Sequence, residues 1–124
     1  MHKNRPKYLD LRKIKLPITG IVSLLHRLSG LLLFLAIPLL LLALADSLES
    51  ENAFNQWVSG KNSLFLKAFF LICLWGLLHH LLSGLRLLAL DLHIGMALPL
   101  ARKTAWWALS GGLILAVLFG VYWW

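Results

Sequence analysis

The chain has 124 residues, 60% of them hydrophobic and only 14% charged, with a mean hydropathy of +0.79 and a formal net charge of +7. That balance cannot coat a soluble domain of this size with polar side chains, which excludes a water-soluble fold and a self-contained soluble catalytic domain. The charge does not indicate a nucleic-acid binder either, because six of the twelve Lys and Arg residues (Lys3, Arg5, Lys7, Arg12, Lys13, Lys15) precede the first apolar stretch, where cationic residues set membrane orientation.

Three apolar stretches, each near the roughly 20 residues that cross a hydrocarbon core, define an all-α membrane protein with three transmembrane helices. Residues 1–16 form a basic segment expected in the cytoplasm. Pro17 suits the first turn of a helix, and the first span is expected over 17–45. At 1.5 Å per residue it measures about 43 Å, so its first turns should lie in the cytoplasmic interface, and Pro38 is a candidate kink. Ala43-Leu44-Ala45 resembles a signal-peptide cleavage site, but the region before it is too long and is interrupted by His26 and Arg27.

The connection 46–62 holds Asp46, Glu49, Glu51 and Trp57 against Lys61 alone, and reads as a periplasmic loop. The second span is expected over 63–90, and the loop 91–105, with Arg102 and Lys103, returns to the cytoplasmic side. The third span is expected over 106–124, with Trp106 and Trp107 at one interface and Tyr122, Trp123 and Trp124 at the other. Gly112, Ala116 and Gly120 recur every fourth residue and offer a smooth face to another helix, although small residues are also simply common in membrane helices. The single cysteine, Cys73, rules out a disulfide or a thiolate metal site built from this chain alone.

The polar residues inside the spans carry the functional signal. On the first helix, spacings of three and four place Thr19, Ser23, His26, Arg27 and Gly30 on one face, with leucines between them free to face lipid. An Arg near the bilayer centre costs about 2.5–3.5 kcal/mol, so such residues line a cavity, a ligand site or a partner. Arg27 is close enough to the cytoplasmic end for snorkelling to be the alternative. On the second helix Gly76, His80, Ser83, Gly84, Leu87 and Asp91 share one face, while His79 and Arg86 share a neighbouring one. If the helix leaves the hydrocarbon near Leu87, His80 lies about 10 Å deep, in the same half of the bilayer as Arg27. Glycines one turn either side of His80 leave gaps past which a flat macrocycle can run edge-on, and imidazole commonly holds a haem iron. A packing histidine is the simpler reading of the spacing alone.

Two blocks, Ser-x-x-His-Arg-x-Ser-Gly at residues 23–30 and His-x3-Gly-x-Arg-x4-Asp through His80, Gly84, Arg86 and Asp91, resemble the cytochrome b membrane anchor of bacterial succinate dehydrogenase, respiratory complex II. The resemblance also covers Arg5-Pro6, Leu9-Asp10-Leu11 and Leu16-Pro17-Ile18-Thr19, and so nearly the whole chain. It implies a heteromeric helix bundle holding haem b, in an enzyme with a flavoprotein subunit that oxidises succinate, an iron-sulfur subunit and a second small anchor. By matched position His80 would be one axial ligand of the haem iron, with the other from the second anchor. Ser23 and Arg27 would lie at the ubiquinone site, and His26 and Arg86 would face the haem propionates or the iron-sulfur partner. The implied location is the bacterial inner membrane. Many family members have a histidine directly after the Arg of the second block, where this chain has Leu87, so a propionate contact through that histidine is absent or replaced. His79 raises a question of register, which Gly84 and Asp91 answer in favour of His80. The competing function is a structural scaffold or small transporter subunit without haem, whose buried His and Arg only organise helix packing.

Overall fold

Pro17 opens the first helix: its carbonyl accepts from the backbone N–H groups of Gly20 and Ile21 at 2.9 and 3.0 Å, and its own missing N–H is no loss there. In the computed structural model, which describes residues 15–60 and 63–123, this helix (α1) runs Ile18–Glu49 without a break at Pro38. The basic segment before Lys15 lies outside the described residues, as do Lys61, Asn62 and Trp124. Three further helices follow, α2 (Glu51–Gly60), α3 (Leu64–Asp91) and α4 (Leu98–Trp123), and no strand occurs among the described residues. α1, α3 and α4 are each long and apolar enough to cross a membrane.

The expected spans reappear with shifted ends, and each shift has a local cause. The connection 46–62 contains α2, because Ser50 is extended (φ −158°, ψ 161°), ends α1, and accepts the Ala53 N–H through its hydroxyl at 3.1 Å as an N-cap. Phe54, Trp57 and Val58 then fall on one face of α2 and border a cavity of about 440 Å³ against the end of α1. The Trp57 indole N–H donates to Asp46 Oδ2 at 2.7 Å, which ties α2 to α1.

α3 ends in a Schellman motif, with the Ile94 N–H donating to the Ala89 carbonyl, the His93 N–H to that of Leu90, and His93 left-handed at φ 61°. Gly95, at φ 81°, completes the reversal in a backbone conformation that side chains resist. The loop expected over 91–105 therefore shrinks to residues 92–97, and α4 begins at Leu98 rather than Trp106. Pro99 fits its first turn. Tertiary packing holds this extra stretch, since Ala105 is fully buried in a cluster with Val22 of α1 and Ala108. A helix is not obliged to begin where an apolar run does, and α4 starts eight residues before Trp106.

α1, α3 and α4 pack against one another, α3 most extensively, while α2 rests on α1. Small residues make the close approaches, as expected where lipid supplies no hydrophobic drive between helices. Ala36, Cys73, Ala105, Ala108 and Ala116 are buried, whereas most large apolar side chains, including Leu24, Leu28 and Leu31, point outward. The Gly112-Ala116-Gly120 stripe lies against α3: a Cβ on Gly120 would sit 2.9 Å from Leu71 Cδ1, and one on Gly112 only 3.0 Å from the Cα of His79.

Candidate functional site

Helical phase sends the adjacent histidines of α3 to different neighbours, since consecutive residues are about 100° apart around the axis. His80 points to α1. Its Nδ1 lies 3.0 Å from the His26 carbonyl oxygen and 3.2 Å from Ser29 Oγ, and the Ser29 hydroxyl donates to that same carbonyl at 2.9 Å. A carbonyl can only accept, so Nδ1 carries a ring hydrogen, which in a neutral imidazole leaves the lone pair on Nε2. Nε2 has no hydrogen-bond partner among the described residues.

His26 covers one face of that ring, stacked at 4.1 Å between centroids and 12° from parallel. Gly30 closes the edge: a Cβ there would stand 3.0 Å from His80 Cε1. The glycines flanking His80 do not leave the open gaps that a passing macrocycle was expected to use. Leu32 occupies the space beside Gly76, within 2.9 Å of a would-be Cβ, and His26 Nε2 occupies that beside Gly84 at 3.4 Å. They let α1 come close to α3 and let His26 lie flat on His80.

His79 lies on the side of α3 where α4 packs and is fully buried. Its ring stacks on Trp75 at 5.5 Å, its Nε2 lies 3.3 Å from Ser83 Oγ, and its Nδ1 has no partner. Gly112 of α4 packs against its backbone. His80 is thus the histidine of α3 with a ring nitrogen accessible to a ligand.

Of the remaining site candidates, Ser23 is half-buried and Arg27 exposed, one helical turn apart on α1, and neither has a hydrogen-bond partner among the described residues. Arg86 is not brought to this cluster. Six residues beyond His80, it is turned about 240° around the helix, and it donates through Nε to Thr104 Oγ1 at 3.2 Å and through Nη2 to the Ala101 carbonyl at 3.0 Å. Of the two residues expected to face haem propionates or the iron-sulfur partner, His26 stacks on His80 while Arg86 bonds to α4. Ser29 was overlooked as a direct neighbour of His80; its spacing of three from His26 was the available signal. No group of three or more His, Cys, Asp or Glu able to hold a metal occurs among the described residues, so a metal at His80 needs ligands from elsewhere.

Three apolar helices long enough to cross a membrane, with a histidine-serine cluster where α1 meets α3, define the class as an all-α membrane protein. The sequence signature of the succinate dehydrogenase/fumarate reductase transmembrane subunits matches residues 1–121, and the chain belongs to that family. A Coxiella burnetii (strain RSA 493 / Nine Mile phase I) protein named succinate dehydrogenase cytochrome b556 subunit is 34% identical over 133 residues, covering all of both chains. The protein of that name from Paracoccus denitrificans is 33% identical over 119 residues, 93% of this chain and 88% of its own. That from Rickettsia felis (strain ATCC VR-1525 / URRWXCal2) is 26% identical over 121 residues, 98% of this chain and 94% of its own.

Proposed function

We propose that this chain is the cytochrome b anchor of a succinate dehydrogenase, holding haem b through His80 and forming part of a ubiquinone-reduction site at Ser23 and Arg27. The observation that carries the reading is the His80 ring: a hydrogen bond from Nδ1 to the His26 carbonyl orients the imidazole and leaves Nε2 as the donor atom, the arrangement typical of a metal-binding histidine. The residues fit an axial role, with one accessible imidazole nitrogen here and the second expected from the other small anchor. When bound, the haem supplies a one-electron redox centre.

The chain's own residues supply the rest. His26 and Gly30 fix the plane of the ligand ring by stacking and close contact. The Ser23 hydroxyl can donate to a quinone oxygen, and the Arg27 guanidinium favours the negative charge that develops there as electrons arrive from the iron-sulfur subunit. Succinate oxidation belongs to the flavoprotein subunit. The basic amino-terminal segment and Arg102-Lys103 near the start of α4 favour a cytoplasmic side for those ends in a bacterial inner membrane, with the α2 end periplasmic.

The test is a reduced-minus-oxidised absorption spectrum and quinone reductase assay on the purified complex. His80→Leu should abolish or shift the b-type band. Arg27→Leu should keep the band and lower quinone reduction more than tenfold. Absence of haem from the wild-type complex would leave the scaffold reading standing.

A further inference from the structure

Arg86 has a charge that the described residues do not neutralise. Its hydrogen bonds go to the neutral Thr104 hydroxyl and Ala101 carbonyl, and no carboxylate among the described residues lies within ion-pair distance. Two contacts to α4 fix the guanidinium in place, and such a cation in a membrane is retained where an anion or a polar cavity meets it.

A groove of about 390 Å³ begins at this residue and follows the junction of α3 and α4. Arg86, Thr104 and Trp107 line its head, while Leu82, Gly111 and Leu115 line the remainder. The Lys103 ammonium sits 5.4 Å from the centre of the Trp107 ring, which brings a second cation to the head. Thr104 and Leu115 are eleven residues apart, about 16 Å along the helix and close to half of a roughly 30 Å hydrocarbon core. Cation at the interface, aromatic ring below it, and an apolar trough one leaflet long is the order of polarity along a single phospholipid.

We propose that the α3–α4 groove binds an anionic phospholipid, its phosphate on Arg86 and Lys103 and one acyl chain along Leu82, Gly111 and Leu115. The length favours a lipid over a partner helix, which would follow both leaflets. The site is separate from the His80 cluster and does not depend on haem.

The test is native mass spectrometry of the intact complex, titrated in mild detergent with phosphatidylglycerol or phosphatidylcholine. The wild type should hold phosphatidylglycerol in preference, and Arg86→Gln should reduce that preference about fivefold, the equivalent of roughly 1 kcal/mol for one cationic residue at a membrane surface. Leu115→Trp, which fills the outward-facing trough without touching the cations, should displace the same lipid and serves if Arg86→Gln fails to assemble. Equal retention of both lipids by the wild type, or unchanged retention in the variants, overturns the proposal. So does loss of a partner subunit from Arg86→Gln with lipid binding intact, which assigns the cation to a partner's carboxylate.

Discussion

His79 and His80 are neighbours in sequence and opposites in surroundings. One is sealed between Trp75, Ser83 and Gly112 with a ring nitrogen left without a partner; the other is clasped by the His26 carbonyl, Ser29 and Gly30 with its remaining nitrogen accessible. Residue type therefore does not assign a role in a membrane helix. The face does: around His79 the α3–α4 contact is closed by Gly112, while the α1–α3 contact at His80 brings together the His26 carbonyl, the Ser29 hydroxyl and an imidazole.

Glycine substitutions test that division most sharply, because Gly112 and Gly30 each have a nearest atom 3.0 Å from the position of an added Cβ. At Gly112 the obstacle is the His79 backbone, which cannot swing aside, so Gly112→Ala should destabilise the complex by about 1–3 kcal/mol in thermal unfolding. Its haem band should keep its wavelength. At Gly30 the obstacle is the edge of the His80 ring, which can rotate. Gly30→Ala should therefore destabilise by less than about 1 kcal/mol yet alter the haem absorption or paramagnetic resonance spectrum. If the two variants exchanged signatures, the contrast between the faces would be wrong. The smallest effect belongs to the far end: Trp57→Phe removes one exposed hydrogen bond to Asp46 and should lower stability by about 0.5 kcal/mol, with the haem spectrum unchanged.

The three long apolar helices, and the placing of His79 and His80 on different faces of the second, were legible in sequence because hydropathy and helical period are local properties. The helix ends were less so. Ser50 as a cap and the apolar face of Phe54, Trp57 and Val58 were present in the pattern, but a loop rich in Ser, Asn and Gly concealed them. The early start of α4 depends on Ala105 meeting Val22 across the bundle, a contact that spacing along one helix cannot reveal. Gly76 and Gly84 were expected to leave room for a macrocycle, but what lies beside a glycine is decided by the partner helix, and Leu32 and His26 occupy those places. Arg86 shared a motif with His80 but not a direction, and the six-residue separation already contained that answer.

Cys73, buried in α3 and the chain's single thiol, has a practical consequence. Reagents that alkylate or spin-label sulfhydryls need physical access to the sulfur. Probes can therefore be attached to cysteines engineered at lipid-facing positions of this subunit with the native residue left in place, since it contributes little background.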